Sequence, residues 1–324
     1  MRALVLCSIL AFAGAAIARP ARLAKPKRGF QMQATDYTIA PGQDLEWCEY
    51  RRLPNTKPMD INGFKLRMPE GAHHFVIWAY GGDTEDDAQF PAGPQESVAC
   101  TGLAPDDPIP QVLIPIQTPN ARLRFPKGVA LRIDPQQQIW LNPHMKNLTG
   151  EPITTDIRFN FYRARKGSVK HLAEGLIAGN SAAIRVPAGG DQTITAEWTA
   201  PADLNLIQLA THQHRLGTYA NIELVNPDGT PRLIYENTNW QHPKPYWPAQ
   251  PIRLAQGEKI RITCRWHNTD DHEVRFGPET TDEMCFILGF YYRDPEDTDP
   301  ISARGCLPAK RGLLCPNAPA ILVQ

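Results

Sequence analysis

Five histidines in three short stretches are the residues of this chain best suited to chemistry. GAHHFVIW sets His73 and His74 side by side, LNPHMKN carries His144, and THQHRLG carries His212 and His214. On a strand, residues i and i+2 share a face, so His212 and His214 either grip one metal together or form two polar positions on a solvated face. Adjacent residues face opposite ways. His73 and His74 therefore share a metal only if the strand ends or bulges there, or if the two rings use different nitrogens. The preceding MPEG (68–71) is a plausible place for such an irregularity. His73, His74 and His144 together would be three imidazoles with an open position, which suits copper or zinc doing chemistry. TDEMCFILGFYY (281–292) adds Met284 beside Cys285 on an apolar strand. A lone methionine usually packs a core, but a thioether joined to two imidazoles selects copper, Cu(I) especially.

Strands must position these residues. INGFKLRM (61–68), DIRFNFYR (156–163) and KIRITCRW (259–266) alternate apolar and polar residues, the period of half-buried antiparallel strands. Turn signals such as GGDTEDD (81–87), NPDGT (226–230) and NTDD (268–271) separate the strands, and no convincing amphipathic helix is present. The 31 prolines suit short strands and rigid loops better than long helices. The basic stretch RARKGSVK (163–170) reads as a junction. The expected architecture is all-β: two consecutive β-sandwiches over 30–168 and 169–300, followed by a tail over 301–324.

With 34 acidic and 34 basic residues among 324, the chain lacks the basic excess that nucleic acid demands. Residues 1–18 have the charge, apolar length and small-residue ending of a secretory signal, with an uncleaved anchor as the alternative. No later segment is apolar enough to cross a bilayer. The expectation is an exported protein, secreted, periplasmic or lumenal, with a basic exposed arm over 19–29. Cys7 leaves with the signal. Cys48, Cys100, Cys264, Cys285, Cys306 and Cys315 remain, an even set that points to disulfides in an oxidising compartment. Their grouping suggests local pairs, and a Cys264–Cys285 bond would staple two strands.

In this order, HHF, a histidine ending a strand, H-x-H-x-L-G, and E-M-C with an upstream cysteine resemble the copper type II, ascorbate-dependent monooxygenases. The resemblance runs from about Phe30 to Arg293. It implies two jelly-roll-like domains, each holding one copper. His73, His74 and His144 would bind an electron-donating copper; His212, His214 and Met284 would bind the catalytic one. Cys48–Cys100 and Cys264–Cys285 match family disulfides, whereas Cys306–Cys315 matches no family pattern. The implied reaction is hydroxylation of an sp³ C–H bond of a small organic substrate with O2, using ascorbate or a similar one-electron donor. Members acting on glycine-extended peptides carry an arginine two residues before H-x-H, and an asparagine and a tyrosine two and four residues after the methionine. Here those positions are Ala210, Phe286 and Leu288, so a carboxylate clamp is missing and a more apolar or amine-like substrate is expected. Where the dopamine enzyme has a second histidine two residues after its site histidine, this chain has Lys146.

The missing clamp also motivates a copper-binding or copper-delivery protein without turnover. A zinc hydrolase ranks last, because it leaves Met284 unused and no general base is evident beside the three histidines. His171, His267 and His272 are expected to be solvated, and His242 to pack among aromatics, with lining a cleft as the alternative. Asn147-Leu148-Thr149 is a glycosylation sequon.

Overall fold

The computed structural model describes residues 23–69, 71–79, 93–96, 111–179, 183–277 and 279–293, and the backbone of 307–309 and 312–314. The signal, most of the tail, and Cys100, Cys306 and Cys315 lie outside these residues. Among the described residues every regular element is a strand, so the all-β expectation holds.

Three sheets carry most of the structure. A five-stranded sheet runs Gln95–Glu96, Asp44–Arg52, Gln138–Lys146, Ala72–Ala79, Gln111–Ile116. A four-stranded sheet runs Asp191–Thr199, Lys259–His267, Gly217–Val225, Pro231–Asn237. The third has eleven strands and spans both halves of the sequence. There Val129–Ile133 from the first half pairs in parallel with His171–Gly179 from the second, which pairs antiparallel with Phe286–Tyr292. Leu204–His212 continues the sheet on the far side of Phe286–Tyr292. The segment 164–170 is thus a loop between strands of one continuous sheet.

Two apolar cores result. Phe75, Ile77, Ile139 and Leu141 of the five-stranded sheet meet Phe64, Leu66, Phe159 and Phe161 of the large sheet. Ile260, Ile262, Cys264 and Trp266 of the four-stranded sheet meet Leu204, Leu206, Ile287 and Tyr291. The alternation in DIRFNFYR and KIRITCRW maps onto these faces: Ile157, Phe159, Phe161, Ile260, Ile262, Cys264 and Trp266 are all buried. Phe290 and Ile207 of the second half join the first core, so the halves are packed together.

Cys264 and Cys285 are disulfide-bonded, which ties the four-stranded sheet to the segment entering Phe286–Tyr292. Met284 and Cys285 precede that strand, which begins at Phe286, and so do not lie on it as the sequence suggested. Cys48 is also disulfide-bonded. Residues 23–29 are largely exposed, but Leu23 is buried and the Leu23 and Ala24 carbonyls accept from Gln31 Nε2 and Asn160 Nδ2. Asn147 is a structural asparagine: it is buried, and its Nδ2 donates to the carbonyls of Ile39 and Glu151. Its Oδ1 accepts from Thr149 N and Oγ1, so the folded chain offers no free amide at this sequon.

Candidate metal centre

The strand Ala72–Ala79 opens with the two histidines. His144 lies directly opposite His74 on one side and opposite Glu46 on the other. Opposed residues of an antiparallel pair share a face, so Glu46, His144 and His74 form a row across three strands. The register then slips: Met145 pairs with Ala72, and His73 is the extra residue of a bulge. The bulge turns His73 toward its neighbour, which an ideal pleat would forbid. Gly71 makes the entry possible. Its φ is +87°, a Cβ there would stand 2.6 Å from the Lys146 carbonyl oxygen, and the Gly71 carbonyl already accepts from Lys146 N–H. One ligand atom from each of His73, His74 and His144 lies within 4.8 Å of the others.

His212 ends the strand Leu204–His212, and His214 lies just beyond it. The i, i+2 relation survives the end of the strand: the two rings stand 5.1 Å apart, while Gln213 turns away to donate to the Arg265 carbonyl. The second pair faces the first group. His212 is 6.3 Å from His73 and 6.1 Å from His74, and His214 is 6.4 Å from His73, between ring centroids. Five imidazoles, none more than 8% exposed, thus form one cluster between the halves.

Outer residues set which nitrogen faces inward. His144 Nε2–H donates to Asp44 Oδ1 at 2.6 Å, with Thr280 Oγ1 2.9 Å from the same nitrogen, leaving Nδ1 as the bare atom. His212 Nδ1–H donates to Gln117 Oε1 at 2.7 Å and His214 Nδ1–H to the Asp282 carbonyl at 3.1 Å, so both present Nε2. His74 Nε2 lies 3.4 Å from Glu46 Oε1, close but without a hydrogen bond. Both nitrogens of His73, both of His74, and His144 Nδ1 are buried without a hydrogen-bond partner. Buried polar atoms in that state cost about 1–3 kcal/mol each, so the cluster fits a metal that would bind them. Trp240 closes one side, its ring 5.2 Å from His73.

Burial and the neighbouring imidazoles hold His73 well below the usual histidine range, and do the same for His212. His214 is pushed down to about 4, chiefly by burial. These rings stay neutral at pH 7, the form that binds metals. Burial opposes ionisation of Glu46, but His74 and His144 outweigh it and bring the carboxyl down to about 2. Asp44 is lowered against its burial by His144 and Lys146. Carboxylates therefore stand beside the three histidines. Held low and engaged, they are poor general bases.

Glu283 braces the second pair. It accepts from the backbone N–H of His214 (2.9 Å), Leu216 (2.7 Å) and Met284 (3.3 Å) and from Trp266 Nε1 (2.7 Å). One oxygen, Oε2, thus binds the backbone of both His214 and Met284, which brings those residues together. Burial pushes the Glu283 carboxyl up to about 7, against the pull of four donors that all favour the ionised form. Met284 is half-buried.

The sequence reading passed over Asp44, Glu46, Gln117, Trp240, Thr280 and Glu283. For His242 the cleft-lining alternative fits better than packing among aromatics: its Nδ1 donates to the Gln117 carbonyl at the rim of the cluster. His171 stacks on Tyr292 at 4.4 Å and is not free in solvent. His267 and His272 are exposed, beside Asp191 and Asp271, which agrees with the expected solvation.

Histidines gathered in this way could hold a metal ion. Residues 191–310 match the family model of the copper type II ascorbate-dependent monooxygenase, C-terminal domain, so the resemblance seen in the motifs is shown for that stretch. The matched segment contains His212, His214, Cys264, Met284 and Cys285. Among solved structures, PNGF-II in its C2 form is 9% identical with a TM-score of 0.35, covering 84% of this chain and 66% of that one. The infectious bursal disease virus Gx strain structure is 12% identical with a TM-score of 0.20, covering 86% and 75%. The CUB1-EGF-CUB2 domains of rat MASP-1 are 9% identical with a TM-score of 0.18, covering 80% and 96%. Likenesses this distant carry no argument about function.

Proposed function

We propose that this chain is an exported dicopper monooxygenase that hydroxylates an sp³ C–H bond of a small organic substrate with O2, drawing electrons from ascorbate or a similar one-electron donor. His73, His74 and His144 would hold one copper; His212, His214 and Met284 would hold the other. The observation that carries this reading is the buried five-imidazole cluster with its unpartnered nitrogens, joined to a segment that matches the monooxygenase family. Copper supplies one-electron redox change and oxygen chemistry when bound. The protein keeps His73, His212 and His214 neutral, fixes the tautomers of His144, His212 and His214, and buries all five rings away from bulk water.

The two groups are braced differently, which suits different roles. Asp44 and Glu46 place negative charge against the three-histidine group and favour the more highly charged metal state there. His212 and His214 donate instead to a neutral amide and a carbonyl. Ala210 pairs with Leu288 and His212 with Phe286, so an apolar strip shares the His212 face. That strip supports an apolar substrate and argues against a carboxylate-ended one.

The N-terminal signal, together with disulfide-bonded Cys48, Cys264 and Cys285, supports export to an oxidising compartment. The two separate cores support reading 30–168 and 169–300 as jelly-roll-like sandwiches, with the tail beyond. A copper-binding protein without turnover is the second reading, favoured by the missing clamp at Ala210, Phe286 and Leu288.

Copper content after reconstitution is the test, on the parent and on Met284→Ala and His144→Ala. Two coppers in the parent, with each variant weakened at its own site, and ascorbate-dependent O2 uptake support the enzyme. Two coppers without O2 uptake support the second reading. One copper or none overturns both.

A further inference from the structure

We infer that Gln117 is the positioning residue that sets His212 for metal binding and ties it to the three-histidine group; this rests on His212 being a ligand. Gln117 follows the strand Gln111–Ile116, whose last residue pairs with Phe75, next to His74. It is anchored to the backbone that carries the first group, yet it bonds to residues about a hundred positions away. Its side chain is buried.

The two ends of a carboxamide differ: the nitrogen donates and the oxygen accepts. Gln117 Nε2 donates to the Thr211 carbonyl at 3.1 Å. A carbonyl only accepts, so the nitrogen end must face it; the reverse orientation would set two oxygens together. Oε1 is thereby aimed at His212, whose Nδ1 lies 2.7 Å away. An amide oxygen cannot donate, so Nδ1 carries the hydrogen and Nε2 keeps its lone pair for the metal. The backbone carbonyl of Gln117 accepts from His242 Nδ1 at 3.0 Å, which holds the loop bearing Trp240. Trp240 in turn packs its ring against His73. One residue thus fixes the tautomer of His212, the end of its strand through Thr211, and the segment that covers the first group. The sequence gives no hint of this, because a glutamine after QVLIPI reads as an ordinary strand end.

The experiment uses the full-length chain, labelled with ¹⁵N-histidine and free of metal, with the His212 signal identified by its loss in His212→Ala. In the parent, the ring shifts should show Nδ1 protonated and Nε2 bare. Gln117→Met keeps the length and removes both polar atoms; it should give a mixture of tautomers. It should also weaken copper binding at His212 and His214 by about 10–100-fold while leaving the three-histidine copper in place, which shows that the variant is folded. Gln117→Glu keeps an acceptor at Nδ1 and should restore the parent tautomer, although its second oxygen then opposes the Thr211 carbonyl and lowers stability. A Gln117→Met variant with the parent tautomer and parent copper affinity overturns the inference alone. A parent that takes up no copper at His212 overturns the proposed function, and the inference with it.

Discussion

His214 offers a direct reading of how the buried cluster is held, because its titration can be isolated. Burial pushes its imidazole from the ordinary 6.5 down to about 4. In the unfolded chain the ring titrates near its ordinary value. Between those limits the unfolded state binds the extra proton, so stability rises with pH across the window. Its full value is present above pH 6.5 and is lost as the pH falls toward 4. A shift of this size corresponds to about 3 kcal/mol by the bottom of the window. Glu283, pushed up to about 7, acts with the opposite sign between 7 and 4.5 and obscures the effect in the parent alone. The remedy is a difference: urea denaturation of the metal-free parent and of His214→Gln, at several values from pH 7 to pH 4. Glu283 and the other histidines are present in both proteins and largely cancel. The stability of the parent relative to His214→Gln should fall by about 3 kcal/mol as the solution is acidified. A difference that stays constant over that range would show that His214 is not buried neutral, and the account of the cluster would fail with it.

Other consequences are equally specific. Asp44→Asn removes the charge 2.6 Å from His144 Nε2 but keeps an acceptor, so Cu(II) affinity at the three-histidine group should fall about 10–100-fold, more than Cu(I) affinity. Potentiometric titration should therefore show a raised reduction potential at that copper, and an unchanged potential would refute the role given to Asp44. Trp266→Phe deletes a buried donor to Glu283 and should destabilise the fold by about 2–3 kcal/mol in urea denaturation; a loss under about 0.5 kcal/mol would mean the carboxylate is not held as an anion. Replacing Cys264 and Cys285 together by alanine opens a loop with a sequence separation of 21 and should cost about 3 kcal/mol, read as a lowered urea midpoint.

Features that depend on local pattern were legible in the chain. Alternation in DIRFNFYR and KIRITCRW placed the buried faces, because a strand's side chains obey a period of two wherever one face packs a core. H-x-H marked a pair of rings that point together, and HH left a strand end, a bulge or different ring nitrogens as routes to a shared metal; the register at His144 supplies the bulge. What the local pattern did not carry was tertiary in cause. RARKGSVK has the composition of a junction, but no local signal announces that Val129–Ile133 and His171–Gly179 pair in parallel beside it. Met284 and Cys285 sit in an apolar run that looks like strand from its first residue. The disulfide and the Glu283 brace hold that start off the ladder until Phe286.

The outer residues of the cluster were illegible for a further reason. Asp44, Glu46, Gln117, Trp240 and Thr280 are unremarkable in their own segments, and each gains its meaning from a ring that lies elsewhere in the chain. A ligand can be guessed from residue type and spacing, since few side chains bind copper. The choice between Nδ1 and Nε2 cannot, because it is made by whichever donor or acceptor the fold brings to the other nitrogen. Here Asp44 makes that choice for His144, Gln117 for His212, and the Asp282 carbonyl for His214. The first group is left with Nδ1 of His144 facing inward and the second with Nε2 of both rings. The difference in reach and in neighbouring charge is what two metals with unlike tasks would require.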